Sequence, residues 1–161
     1  MAENLNLRKI NSATGLTLPN SVGGHLFLNS LTSANGLALP NTVGGDLILS
    51  ELITAESVTF PSSVGGDLGL GSLTSAKGLM LPNSVGGTVY LNRLTSTEGI
   101  VLPNSIGGSL CLYSLTSAER LALPNSVGGP VYVSSLEQWE KKDLQARYPS
   151  LKVYFDAKRR Y

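Results

Sequence analysis

Short alternations of apolar residues return along this chain every 21 residues. Leu26-Phe27-Leu28 puts residues 26 and 28 on one side of an extended segment and 27 on the other. The same alternation recurs as Leu47-Ile48-Leu49, Leu68-Gly69-Leu70, Val89-Tyr90-Leu91, Leu110-Cys111-Leu112 and Val131-Tyr132-Val133. A fixed period of this length predicts stacked coils, in which equivalent residues form columns. Three columns read as core: Leu28 to Val133, Leu31 through Leu115 to Leu136, and Val22 through Ile106 to Val127. Such alignment predicts a mainly β, right-handed parallel β-solenoid, with coils about 4.8 Å apart.

Glycine and proline punctuate the period. A Gly-Gly pair stands at 23–24 and at every 21st position to 128–129, and a proline (Pro19 to Pro124) lies four residues before each pair. Only five residues separate each proline from the next strand, too few for a helical return. Each coil is therefore expected to hold a main strand and a shorter one just before the proline, as in Leu37-Ala38-Leu39. The Gly-Gly corner is expected to need positive φ or close backbone approach. The column of Asn20, Asn41, Asn83, Asn104 and Asn125, with Ser62 as the exception, is expected to hydrogen-bond along the stack.

Residues 5–18 already fit the consensus, so the solenoid is read as residues 1–136, six full coils and a partial seventh. Residues 137–161 read as a C-terminal cap. It comprises a helix over about 136–147 with Ser135 as N-cap and Trp139 covering the last coil, a strand over about 151–155, and the basic tail Lys158-Arg159-Arg160.

The string L-x-L-x-x-L-T-S followed by L-x-L-P-x-S-V resembles short bacterial leucine-rich repeats of the Treponema surface-antigen type. It is similar also to the receptor L-domain solenoid, where a Gly-Gly-x-L-x-L strand entry recurs. The likeness covers residues 5–136 and departs in repeat length, in the strict Gly-Gly and in lacking Phe and Cys columns. It implies a binding scaffold and no particular partner.

Composition narrows the classes. The chain is 42% hydrophobic and only 14% charged, with a net charge of +1, which gives no general pull toward nucleic acid or membrane. From Leu136 onward seven Lys or Arg face four Asp or Glu, which reads as a solvated basic tail. No apolar run approaches a membrane span and no signal-peptide pattern opens the sequence. A single cysteine, Cys111, fits a reducing compartment, so the expectation is a cytoplasmic protein, of a bacterium or a phage-infected host; export without a cleaved signal is consistent with the same residues.

Candidate chemistry is sparse. His25, Asp46 and Asp67 share a column and would suit a shared ion, but no second ligand column supports them, which favours three solvated strand-entry residues. Cys111 reads as an exposed small apolar side chain, four coils from the only histidine. The Gly-Gly pairs lack the Lys and helix of a phosphate loop. The threonine column (Thr32, Thr74, Thr95, Thr116) is broken by Ile53, which weighs against ice binding. No catalytic residue and no cofactor is expected.

The reading that remains is a protein-binding module. Phe27, Ile48, Tyr90 and Tyr132 share the outward column of the main strand, with Gly69 as a notch and Tyr113 and Arg93 alongside. Aromatic stripes and Arg mark contact surfaces. The narrower expectation is a small inhibitor of a larger host machine, an anti-defence factor; the alternative is an adhesin-type surface repeat, carbohydrate-binding. The strand edge of the first coil predicts a homodimer through that edge.

Overall fold

A computed structural model describes residues 3–155 apart from 57 and 76. The chain winds about seven turns of an all-parallel β-solenoid with one C-terminal helix, Gln138–Arg147, before the last strand. The main sheet has eight two-residue strands: Leu5–Asn6, Leu26–Phe27, Leu47–Ile48, Leu68–Gly69, Val89–Tyr90, Leu110–Cys111, Val131–Tyr132 and Val153–Tyr154. Pairing is in register, Leu26 with Leu47 and Phe27 with Ile48, as the 21-residue period requires. Leu28, Leu49, Leu70, Leu91, Leu112 and Val133 are fully buried, as is the Leu31 to Leu115 column, so the side assigned to the core is the core.

The second sheet lies on the other side of the proline from where the sequence pattern places it. Its six strands are Ser21–Val22, Thr42–Val43, Ser63–Val64, Ser84–Val85, Ser105–Ile106 and Ser126–Val127. The pre-proline segments make only isolated bridges, such as Ala38 with Thr59 and Met80 with Val101. Proline has no N–H to pass a ladder on. The residue after it does: the Asn41 N–H donates to the Asn20 carbonyl at 2.7 Å, and the Ser62 N–H to the Asn41 carbonyl at 2.8 Å. Bonds along the Asn column are thus backbone bonds, joined only by the Ser62 hydroxyl donating to the Asn41 carbonyl at 3.1 Å, while the asparagines are exposed.

Positive φ falls on the other glycine column, at Gly15, Gly36, Gly78 and Gly99. The Gly-Gly corner is a matter of space. A Cβ on Gly65 would collide with the Gly44 carbonyl oxygen of the coil before, and one on Gly66 with the Asp46 Oδ1.

The cap also differs in detail. Its helix is capped by Glu137, not Ser135, in a reciprocal box with Glu140. Ser135 instead donates its hydroxyl to the Tyr113 carbonyl at 2.9 Å. Trp139 is 65% exposed, because at its position the helix turns toward solvent; Glu140 and Leu144 carry the buried side. The cap serves the polar edge of the last coil as much as its apolar end. Glu140 Oε1 accepts the Ala118 N–H at 2.9 Å, and the Tyr148 hydroxyl accepts the Leu123 N–H at 3.1 Å. Arg147 donates to the carbonyls of Leu121 and Ala118 at 3.1 and 2.9 Å. Burial disfavours the Glu140 carboxylate, but hydrogen bonds from Ala118, Ser117 and Glu137 outweigh it and hold the carboxyl below the usual range. The basic tail lies outside the described residues.

Candidate functional site

The outward face of the main sheet is built from alternate residues of each strand and the positions flanking it. One column runs Asn6, Phe27, Ile48, Gly69, Tyr90, Cys111, Tyr132 and Tyr154, paired residue to residue. On one side of it lies the column of His25, Asp46, Asp67, Thr88 and Ser109; on the other, that of Arg8, Asn29, Ser50, Gly71, Asn92 and Tyr113. Phe27, Ile48, Tyr90 and Tyr132 are half-buried, each leaning along the ladder while keeping a free surface.

Aromatic contacts gather at both ends. Near the N-terminus the Arg8 guanidinium lies 4.0 Å from the Phe27 ring centroid, with His25 stacked on the same ring at 5.6 Å. Near the C-terminus Tyr132 sits between Tyr113 at 5.6 Å and Tyr154 at 5.8 Å. Burial, and then a hydrogen bond with Cys111, pushes the Tyr113 phenol up to about 12. Burial and the Asp67 carboxylate push Tyr90 up as well. Both stay protonated through the physiological range, so these phenols act as neutral donors and apolar faces.

Two expectations change at this face. Cys111 is only 4% exposed, because Tyr90 and Tyr132 occupy the adjacent coils on either side of its small side chain; burial pushes its thiol up, away from the reactive thiolate. Gly69 is buried too, and a Cβ there would touch the Ile48 side chain at 3.0 Å, so the notch is largely filled from within. Arg93 is exposed at the turn that follows the Val89–Tyr90 strand.

The His25 column has a structural task. His25 N–H donates to Asn4 Oδ1 at 2.8 Å, Asp46 N–H to His25 Nδ1 at 2.9 Å, and Asp67 N–H to Asp46 Oδ1 at 2.8 Å. Thr88 N–H then donates to Asp67 Oδ1 at 2.7 Å, and Ser109 N–H to the Thr88 hydroxyl at 3.2 Å. Each side chain accepts the backbone N–H one coil on. The next position is Pro130, which has no N–H to offer, so the series ends there. Asp46 Oδ2 also lies 3.0 Å from His25 Nδ1. Among the described residues no cluster of three or more His, Cys, Asp or Glu could hold a metal ion.

The other faces are chemically different. A shallow groove of about 600 Å³ follows the second sheet, floored by glycines and edged by Ser21, Thr42, Ser63, Ser84 and Ser105. It carries no aromatic residue. Two members of this face, Tyr154 and Arg8, are not among the residues the sequence pattern picks out. Tyr154 is 49% exposed and follows Tyr132 by 22 residues because the cap intervenes; the repeated pair Val153-Tyr154 after Val131-Tyr132 is the signal that identifies it. Arg8 stands in the flanking column where later coils carry Asn29, Ser50, Gly71, Asn92 and Tyr113, and its guanidinium stacks on Phe27.

No family model, curated protein or solved structure matches the chain. No helix among the described residues is long and apolar enough to cross a membrane.

Proposed function

We propose that this solenoid is a non-enzymatic protein-binding module of the leucine-rich-repeat kind, which engages its partner with the outward face of the main sheet. One observation carries the reading. Phe27, Ile48, Tyr90, Tyr113, Tyr132 and Tyr154 place large rings and an aliphatic side chain on a face whose flanking columns are otherwise polar or small, from His25, Asp46, Asp67, Thr88 and Ser109 to Asn29, Ser50, Gly71 and Asn92. A solenoid needs nothing that large on its outside. Neutral phenols with free edges, flanked by Arg8 and Arg93, are the groups that most often anchor interfaces. Ladder packing alone is the competing explanation for the rings. A small repeat module with one such face suits a blocker of a larger protein machine, an inhibitor acting inside a bacterium or a phage-infected host.

Photo-crosslinking tests this. A benzoylphenylalanine at position 132 is expected to trap one protein partner, identified by mass spectrometry, and the same probe at Thr95 on another face is not. Tyr90→Ser with Tyr132→Ser is then expected to weaken binding of that partner more than tenfold, with an unchanged circular dichroism spectrum. Equal trapping from both positions, or unchanged affinity, would refute the main-sheet face.

The serine-edged groove on the second sheet favours a second reading, a surface repeat that binds an extended glycan. Binding to a glycan array that is lost when Ser84 and Ser105 become Leu, and kept in the tyrosine variant, would select it.

A further inference from the structure

One turn recurs in almost the same form from coil to coil. The N–H groups of Leu16, Leu37, Ile100 and Leu121 each donate to the carbonyl three residues before, at 3.0–3.3 Å. Inside the turn, the N–H of Thr14, Asn35, Lys77 and Glu98 donates to the serine hydroxyl two residues before. Glycine follows each of these four, at Gly15, Gly36, Gly78 and Gly99, with φ from +71° to +79°. The backbone is therefore shared, and the exposed side chain before the glycine is what varies.

Asn35 differs from the others in its chemistry. Asn35-Gly36 is the only Asn-Gly pair in the sequence. Both residues are exposed, and a Cβ built on Gly36 would meet nothing within 4 Å. Among the described residues no acceptor takes the Gly36 N–H. The peptide unit between the two residues is thus neither held nor crowded, and glycine has the φ range to follow its rotation. Every other asparagine precedes Ser, Thr, Leu or Arg, whose side chain hinders approach to the nitrogen that follows. Five of them, Asn20, Asn41, Asn83, Asn104 and Asn125, also lead directly into the extended strands of the second sheet.

We propose that Asn35 is a self-modification site, where the chain converts its own side-chain amide to a carboxylate. The Gly36 nitrogen attacks Cγ of Asn35. A new N–Cγ bond closes a five-membered succinimide, the Cγ–Nδ2 bond breaks, the amide proton passes to water and the leaving group departs as ammonia. Water then opens the ring. Attack at Cγ restores the original main chain with an aspartate side chain. Attack at the main-chain carbonyl gives isoaspartate, in which the chain runs through Cγ and is one carbon longer. That carbon is inserted between Ala34 and Leu37, both buried in core columns, so the isoaspartate form loosens the turn of this one coil. The reaction is independent of the aromatic face.

Incubation of the folded chain at 37 °C and pH 8.5 tests it, read by ammonia release and by fragmentation mass spectrometry, which assigns the mass gain to a residue. The exchange of amide for acid is expected at Asn35 at least tenfold faster than at any other asparagine, with part of the product accepting a methyl group from an isoaspartyl methyltransferase. Asn35→Gln, whose ring would need six members, is expected to abolish the rapid ammonia release. Glu98→Asn sets the same pair before Gly99 in the equivalent turn, and is expected to add a second reactive site with a rate within twofold of the first. Reaction only after unfolding in urea overturns the proposal, because the folded turn would then lock the amide. Equal rates at Asn35 and Asn20 overturn it as well, and so does an inert pair in the Glu98→Asn chain.

Discussion

Asp67 shows how one side chain serves the coil after its own. Its Oδ1 takes the Thr88 N–H at 2.7 Å, and the space it occupies is why Gly87 has no side chain: a Cβ there would collide with that oxygen. Asp67→Ala leaves the Thr88 N–H without its acceptor and is expected to cost about 1–3 kcal/mol, while Asp67→Asn, which keeps an amide oxygen, is expected to cost less. Chemical denaturation of the two variants side by side checks this, and equal losses would mean that charge and not acceptance matters. Leu70, fully buried in the middle of the stack, is the apolar counterpart. Leu70→Ala is expected to cost about 2–5 kcal/mol through the cavity it leaves. A loss below about 0.5 kcal/mol would mean that this column does not face the core.

At the scale of the element, the cap is held by polar bonds as well as by Leu144. Glu140 is 3% exposed and accepts N–H groups from two different segments, Ala118 and Glu137. Its folded-state carboxyl titrates below its ordinary value, so its contribution is complete above the usual glutamate range near about 4.3 and disappears as pH falls through the lowered value. Glu140→Gln is therefore expected to be less stable than the parent at pH 7, and the difference is expected to close as pH falls below the ordinary glutamate range. Thermal melts at a series of pH values follow it; a gap that stays constant would show that the carboxylate's charge contributes nothing. This element is also where sequence reasoning reaches least far. The strand columns are legible because each inward position is repeated six or seven times and a shift of one residue would expose every leucine. The cap occurs once, so nothing averages out its local ambiguities. Ser135 has the chemistry of an N-cap and Trp139 the bulk of a lid, yet the capping box of Glu137 and Glu140 starts the helix later and turns Trp139 outward. The second sheet was misplaced for a related reason: Leu37 and Leu39 alternate like a strand, but alternation does not reveal which N–H groups can reach the next coil across a proline. Of the face, the rings at 27, 90 and 132 were legible as a column, whereas burial of Cys111 and Gly69 depends on the sizes of their neighbours along the stack.

Across the whole molecule, stability is a sum over neighbouring coils, because each touches only the one before and the one after. Among the described residues the first coil has half-covered leucines and no strand paired to its outer edge, while the last is tied to its cap through Glu140, Arg147 and Tyr148. Hydrogen exchange is expected to be fastest at the amides of Leu5 and Leu7 and slowest at those of Leu70 and Leu91, with the last coil slower than the first.

The acceptor series that begins at Asn4 and ends against Pro130 has a direction, and direction carries a consequence for biosynthesis. A finished coil holds out a side-chain oxygen or nitrogen that awaits the amide of residues not yet made; among the described residues the reverse dependence occurs only at the cap, where the Ala118 and Leu123 amides await Glu140 and Tyr148. Translation delivers the coils in that same order. Growth on the ribosome can then proceed like a zipper closing behind the tunnel exit, each turn templating its successor from the first coil to the last. Ribosome-stalled chains ending 40 residues beyond Gly66 are expected to resist brief proteolysis through their first two coils. Chains of equal length that begin at Gly66 and lack the earlier template are expected to be more readily cleaved.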